Sequence, residues 1–454
     1  MKFHKKLWLA GAILPAISAL SVAAISCNTT KNVESADFDK LADTDKVKFV
    51  NEKIEKLSKV QKAQLIDSLD IKSVLSADEK AVLIDKLNKD AAQIGSVVWY
   101  IKSAESRIGR EQDYAFAKVK FDNLIKDEKM KSMLDLAKVD STTGKVSNPD
   151  NGKFIPVVFM DIDETVLSND FTEANAMTVG GFNPADKEKY DLKGIRKATP
   201  GAIAFINHVF EKGGVVMYNS DMSQSTAVRD AVKLNLEKAG IKKEYLKNWQ
   251  FWMRGATPYV PKEATIFDKY KTMKSEEATK VTKDELKAVA KIEVTDKFEA
   301  KPWISWPNTL IAEGIGKQFL KNMRMNAVSD NTVGWNFSDE KDGDAVKLRV
   351  MMKIGDNFND FFDEASKGKS NDERVALFES SEAKMKDLFL SPTGAKGRKY
   401  TKGVWSDLEW NQSYVLISGN SEYGGWLEPF GFKNTYKNLW DEVKRIIADP
   451  KDLK

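Results

Sequence analysis

Cysteine is nearly missing from this chain: Cys27 is the only one in 454 residues. One thiol permits no internal disulfide and no multi-cysteine metal site. Histidine is almost as scarce, with His4 and His208 alone. That excludes multi-histidine zinc centres and hydrolysis through a histidine or cysteine nucleophile. A Ser-His-Asp triad would have to use His208. The segment Pro200–Lys212 reads as an amphipathic helix whose apolar positions are Ile203, Phe205, Ile206, Val209 and Phe210. His208 flanks that stripe, so a partly exposed helix position is expected for it. Charge of one sign is lacking too. The 71 basic and 67 acidic residues leave a formal charge of +4, and no nucleic-acid-binding motif is found, so no nucleic-acid partner is expected. Carboxylates, lysines and a hard metal remain as carriers of chemistry.

The amino terminus is the first informative stretch. Met1–Lys6 is basic, Leu7–Ile25 is almost wholly apolar or small, and Ala24-Ile-Ser-Cys27 follows. This reads as a secretory signal over residues 1–27, a retained membrane anchor or a buried helix being the alternatives. The placement of the sole cysteine resembles a bacterial lipoprotein signal, although Ala24 stands where leucine is more usual and Ser26 where glycine or alanine is. The resemblance implies that Cys27 becomes the lipidated (palmitate-bearing) first residue. The chain would then be held on the extracellular face of the cell membrane.

The length suits two domains, or one with insertions. Residues 28–45 are polar and read as a tether. Residues 46–150 read as an N-terminal helical region, with Leu57, Val60 and Leu65 on one face and a capping box at Ser76–Glu79. A longer helical stretch is expected from Gln93 to Ile125, and a loop over 141–152. Phe154-Ile-Pro-Val-Val-Phe-Met160 is an apolar, β-branched run that stops at Asp161 and Asp163. It reads as a buried strand delivering two carboxylates to a sheet edge, with Thr165 placed to cap a following helix. An acidic turn after a core strand is the plainer reading of the same residues.

Thr199-Pro200 opens a helix that Gly213-Gly214 ends. Val215–Tyr218 is a second strand, and a helix over 224–239 ends at Gly240. A helix is expected over 317–325, a third strand over Lys347–Ile354, a last strand over Ser413–Ser418 and a closing helix over 433–448. The alternation predicts an α/β fold: a Rossmann-like parallel sheet flanked by helices. The core is expected over 151–255 and 313–365, with insertions at 256–312 and 366–412, and 413–454 completing the core or cap.

Two strands end in carboxylates: Asp161 and Asp163 on one, Asp356 and Asp360 on the other. A third ends in Asn219-Ser220. In open α/β sheets ligands bind beyond the carboxyl ends of the strands, so these ends converge. Clustered aspartates repel unless a cation joins them, and an all-oxygen set suits Mg²⁺. One aspartate can then attack phosphorus while another moves the proton. Asn219 or Ser220 would meet phosphate oxygens, and a lysine would neutralise charge.

Asp161-Ile-Asp163-Glu-Thr165 and Gly355-Asp356-Asn-Phe-Asn-Asp360 resemble the first and fourth motifs of the haloacid dehalogenase superfamily. Trp99–Glu105, Gln112–Lys118, Val166–Asn169, Thr199–Ala202 with Gly213-Gly214, and Asn420–Trp426 resemble segments of the class C acid phosphatases and lipoprotein 5′-nucleotidases. The resemblance implies a phosphomonoesterase with Asp161 as nucleophile and Asp163 as general acid/base. Mg²⁺ would be held by Asp161, the main-chain carbonyl of Asp163, and Asp356, with Asp360 steadying the metal shell or the lysine. It also implies a smaller, mainly helical domain built from terminal segments, and a small phosphate ester, of the nucleoside monophosphate kind, as substrate.

Two departures stand out. The family's second motif is usually Thr-Asn-Arg, whereas Asn219-Ser-Asp221 stands here. The third-motif lysine is either Lys317 or Lys321, and Lys321-Asn-Met-Arg324 fits the family's Lys-x-x-Arg spacing. The altered second motif leaves a second reading open: a surface binding lipoprotein that keeps the fold with little turnover. Phe171, Phe182 and Tyr423 are either core aromatics or platforms for a base.

Overall fold

The structure is a computed structural model. It describes residues 91–126, 154–179, 182–261, 266–290, 305–317, 319–336 and 345–419, with a few shorter pieces elsewhere. The signal with Cys27, nearly all of the tether, the capping box at Ser76–Glu79, Tyr423 and nearly all of the closing helix lie outside the described residues. Among the described residues no helix is long and apolar enough to cross a membrane.

The chain divides into two units. One comprises 1–98, 171–183 and 430–454; the other comprises 99–170 and 184–429 and holds the sheet. Most of helix Asp170–Val179 lies in the first, and Phe171 and Phe182 are exposed there.

The second unit is built on α1 (Ala104–Lys126), β1 (Ile155–Met160), α2 (Pro184–Asp191), α3 (Ala202–Glu211), β2 (Val215–Tyr218) and α4 (Thr226–Ala239). It continues with α5 (Thr309–Gly316), α6 (Lys321–Asp330), β3 (Leu348–Gly355), α7 (Asn359–Ser366), β4 (Ala395–Thr401) and β5 (Val404–Leu416). The five strands lie in the order β4-β5-β3-β1-β2. Four run parallel, and β4 pairs antiparallel to β5 at the edge. The α/β expectation therefore holds.

β1 is buried along its whole length because both its faces are covered. Val158 and Met160 join Phe205, Ile206 and Val209 of α3 on one face. Ile155, Val157 and Phe159 join Trp249, Trp252 and Trp335 on the other. The pairing of β1 with β3 shifts by one residue between Val157 and Val158. This bulge turns β3 so that Leu348 and Val350 serve the second core while Met352 and Ile354 serve the first.

Several expected boundaries move. The helical stretch before the core breaks at Ser103 into Ala91–Lys102 and α1. α3 starts at Ala202 rather than at Thr199-Pro200, because Gly201 precedes it in a left-handed conformation, φ 86°. α6 starts at Lys321, four residues later than expected, after a separate helix, α5. The last strand begins at Val404, and with β4 it makes residues 395–412, expected to be inserted, part of the central sheet. Charged residues at the exposed sheet edge disguised these strands.

Residues 256–312 carry an apolar cluster of their own, with Tyr270, Leu286, Trp306 and Ile311. Trp306 docks on the start of α4: its main chain exchanges hydrogen bonds with Gln224 and Thr226 at 2.9 and 3.0 Å. His208 is buried rather than partly exposed, with Nε2 2.6 Å from Asp122 Oδ1 on α1.

Candidate active site

The chain runs from β1 outward to β2, then returns to place β3 on the other side of β1. The connections that follow β1 and β3 thus run to opposite sides, and the crevice between the ends of these two parallel strands is the topological switch point. Met160 pairs with Ile354, and Asp161 N donates to Ile354 O at 2.9 Å. That register puts Asp161 beside Gly355 and brings Asp356 to the same crevice.

Asp161, Asp356 and Asp360 each offer a carboxylate oxygen within 4.8 Å of the others. Lys321, at the first position of α6, reaches in between: its Nζ lies 2.6 Å from Asp161 Oδ1 and 2.7 Å from Asp360 Oδ1. Asp363 fixes where α6 begins, since its two oxygens accept from the main-chain N–H of Lys321 and Asn322 at 2.7 and 2.9 Å. Those N–H groups would otherwise lack partners at the helix start. Asp360 packs on the bare face of Gly355, where a Cβ would stand 2.2 Å from Asp360 Oδ2. Thr165 caps no helix; its hydroxyl donates to Asp356 Oδ1 at 3.1 Å. Asp161, Asp356, Asp360 and Lys321 line an open cleft with Asp163, Asp221, Asn357, Asn359, Asp363 and Lys367.

One lysine against three carboxylates leaves the cluster short of positive charge. Burial, with repulsion from Asp360 and Asp161, holds Asp356 well above the usual carboxylate range. Burial lifts Asp161 to about 8 against the pull of Lys321. Burial disfavours charge on Lys321, but Asp161 and Asp360 outweigh it and raise its pKa. A buried all-oxygen donor set that lacks compensating charge fits a hard divalent cation.

Asp163 has different surroundings. Arg196 lies 2.7 Å and Lys187 3.1 Å from its Oδ1. Burial would raise its pKa, but Lys187 and Arg196 outweigh that and hold it well below the usual range. Its carboxylate is therefore outside the three-aspartate cluster.

The structure decides between the two lysines: Lys321 is in the site, while Lys317 ends α5 on the exposed surface. Asn219 and Ser220 are buried beneath the cleft instead of lining it. Asn219 Nδ2 donates to Lys321 O at 3.1 Å, and Ser220 Oγ accepts from Met222 N at 3.1 Å. Asp221 reaches the cleft and lies 3.4 Å from Arg324. Arg324 is buried and donates from NH1 to the carbonyls of Ser220 and Trp252 at 2.9 and 3.0 Å. Sequence reasoning missed Lys187, Asp191, Arg196 and Asp363 as members of the site. Only the four-residue spacing of Lys187 and Asp191 hinted at a pair, and nothing local pointed it at Asp163.

Residues 112–292 match the family model described as HAD superfamily, subfamily IIIB (Acid phosphatase). The match supports an acid phosphatase of that superfamily. The chain is an acid phosphatase, and the match covers Asp161 and Asp163 while Lys321 and Asp356 lie beyond it. The chain is similar to two solved structures of the class C acid phosphatase from Bacillus anthracis, one of them with tungstate bound. They are 17% and 18% identical, each with a TM-score of 0.43, covering 77% of this chain and 95% of theirs. No curated protein matches the chain.

Proposed function

We propose that this acid phosphatase is a Mg²⁺-dependent phosphomonoesterase of the class C kind. It works through an aspartyl-phosphate on Asp161 and is held on the outer face of the membrane by a lipid on Cys27. Its substrates are nucleoside 5′-monophosphates or similar small esters. The observation that carries the catalytic part is the cluster of Asp161, Asp356 and Asp360 at the switch point, with Lys321 between two of them.

Asp161, Asp356 and the main-chain carbonyl of Asp163 would hold the cation, with Asp360 steadying Lys321. When bound, the cation supplies the missing positive charge and draws phosphate oxygens into the crevice. Asp161 attacks phosphorus, and Lys321 offsets the charge that builds on the phosphoryl oxygens. Asp163, to which the resemblance gives the general acid/base role, would pass a proton to the departing oxygen and take one from the attacking water, against the pull of Lys187 and Arg196, which favour its charged form. With Asp221 where the family usually has arginine, this chain draws less of its phosphate binding from the end of β2.

The test is turnover of an aryl phosphate and of a nucleoside 5′-monophosphate, with chelator and with Mg²⁺. Asp161→Asn and Lys321→Met are expected to lower kcat by at least about 100-fold, while Lys317→Met stays within about twofold. Activity that survives Asp161→Asn overturns the mechanism. Tight ligand binding without turnover would instead favour a protein that kept the fold for binding.

A further inference from the structure

The cleft is acidic for a site that takes a phosphate dianion. Six aspartates line it, Asp161, Asp163, Asp221, Asp356, Asp360 and Asp363, against two lysines, Lys321 and Lys367. Most of these charges are already committed. Lys321 sits between Asp161 and Asp360, at 2.6 and 2.7 Å. Asp163 is held by Arg196 and Lys187. Asp363 accepts from the first main-chain N–H groups of α6, and Asp221 lies against the buried Arg324. The acids that remain, centred on Asp356, suit a hard cation and repel an anion.

Lys367 is the exception. It caps the end of α7, where its main-chain N donates to Asp363 O at 2.9 Å. The residue is exposed, so it stands where the cleft meets solvent, and no carboxylate among the described residues pairs with it. The next lysine along behaves differently: Lys369 Nζ lies 3.7 Å from Glu373 Oε1, and Lys369 does not line the cleft. The charge of Lys367 is felt inside the cleft. Loss of water around Asp221 would raise its pKa, but Lys321, Arg324, Arg254 and Lys367 outweigh this and hold it below the usual carboxylate range.

The geometry points to Lys367 as a substrate-binding residue, whose ammonium takes the phosphate of the ester at the mouth of the cleft. This rests on the reading of this cleft as the phosphatase site. A phosphate monoester spreads two negative charges over three terminal oxygens. Lys321 is already shared between two carboxylates, so part of that charge lacks a partner unless Lys367 supplies one. A lysine offers three donors on a long, mobile stem, which suits a ligand that arrives from solvent. Lys367 touches none of the groups that would react. It therefore holds the ester alike before and during phosphoryl transfer, and acts on KM more than on kcat. As an exposed charge it is also screened by salt.

Two measurements on the full chain with Mg²⁺ test this: KM and kcat for nitrophenyl phosphate, and equilibrium binding of inorganic phosphate by calorimetry. The variants are Lys367→Met, Lys367→Glu and Lys367→Arg, with Lys369→Met as control. Lys367→Met is expected to raise KM and the phosphate Kd on the order of 10-fold, with kcat changed less than about threefold. Lys367→Glu should exceed that loss by at least about threefold, because it reverses the charge. Lys367→Arg should stay within about threefold of the parent chain, and Lys369→Met within about twofold. Raising NaCl from about 0.05 to about 0.5 M should narrow the gap between the parent and Lys367→Met. A side chain that only supported the fold would not rank the variants by charge. Unchanged KM and Kd in Lys367→Glu, or a loss confined to kcat, overturn the inference while the phosphatase reading stands. If the parent chain binds phosphate but turns over no ester, the phosphatase reading falls and the binding series still decides on Lys367. If it does neither, both fall together.

Discussion

Lys353 lies in β3, buried, with its Nζ 2.9 Å from Phe361 O and 3.8 Å above the Phe362 ring. Burial drives its pKa down to about 7, and the pull of Asp363 only partly opposes this. The free side chain titrates near 10.4. Between about pH 7 and 10 the unfolded chain therefore binds a proton that the folded chain does not, and stability rises with pH across that window. Below about pH 7 the folded protein carries the full cost of a buried charge. Relative to Lys353→Met, the parent chain should gain up to about 1.4 kcal/mol per pH unit between pH 7 and 10. Urea denaturation of both proteins at pH 7, 8.5 and 9.5 checks this, and parallel stability curves would contradict it.

At the scale of elements, the turn into α3 depends on one close approach. Gly201 has φ 86°, and a Cβ there would stand 2.7 Å from Tyr114 Cβ on α1. Tyr114 in turn donates to Thr165 O at 2.7 Å, inside the loop that carries Asp163 and Thr165. Gly201→Ala combines a strained backbone with a clash and is expected to cost about 1–3 kcal/mol, by analogy with other left-handed and overpacked sites. Thermal denaturation should report a lowered Tm. Because the displaced residue is Tyr114, kcat should fall as well. A variant with unchanged Tm and kcat would show that α1 yields freely.

For the whole molecule, balanced charge and the single cysteine at the end of an apolar run leave a lipid as the proposed link to the membrane. Two acyl chains on Cys27 would hold the protein stably at a membrane, where a single chain would bind only marginally. Cys27→Ser, expressed in a bacterium that processes lipoproteins, should move phosphatase activity from the membrane fraction to the soluble fraction without changing kcat. Equal partition of the two proteins would remove the anchor from the account.

By itself the sequence determined the strands that carry chemistry. A buried parallel strand reads as a mainly apolar run; Ile155–Met160 is one throughout, Leu348–Gly355 is one interrupted by Arg349 and Lys353, and each stops at an aspartate. The scarcity of cysteine and histidine then left carboxylates to do the work, and Asp161, Asp356 and Asp360 do gather. Only the tertiary structure decided between Lys317 and Lys321, because both are lysines near a helix end and Asp363, distant in sequence, sets where that helix starts. It also turned Asn219 and Ser220 away from the cleft and brought Lys187 and Arg196 to Asp163. Those contacts join residues from separate loops and helices, and no local pattern of hydrophobicity or spacing encodes which buried charge another will meet. β4 and the first part of β5 stayed hidden for a related reason: strands at a solvated sheet edge are charged, and their pairing is a property of the whole sheet.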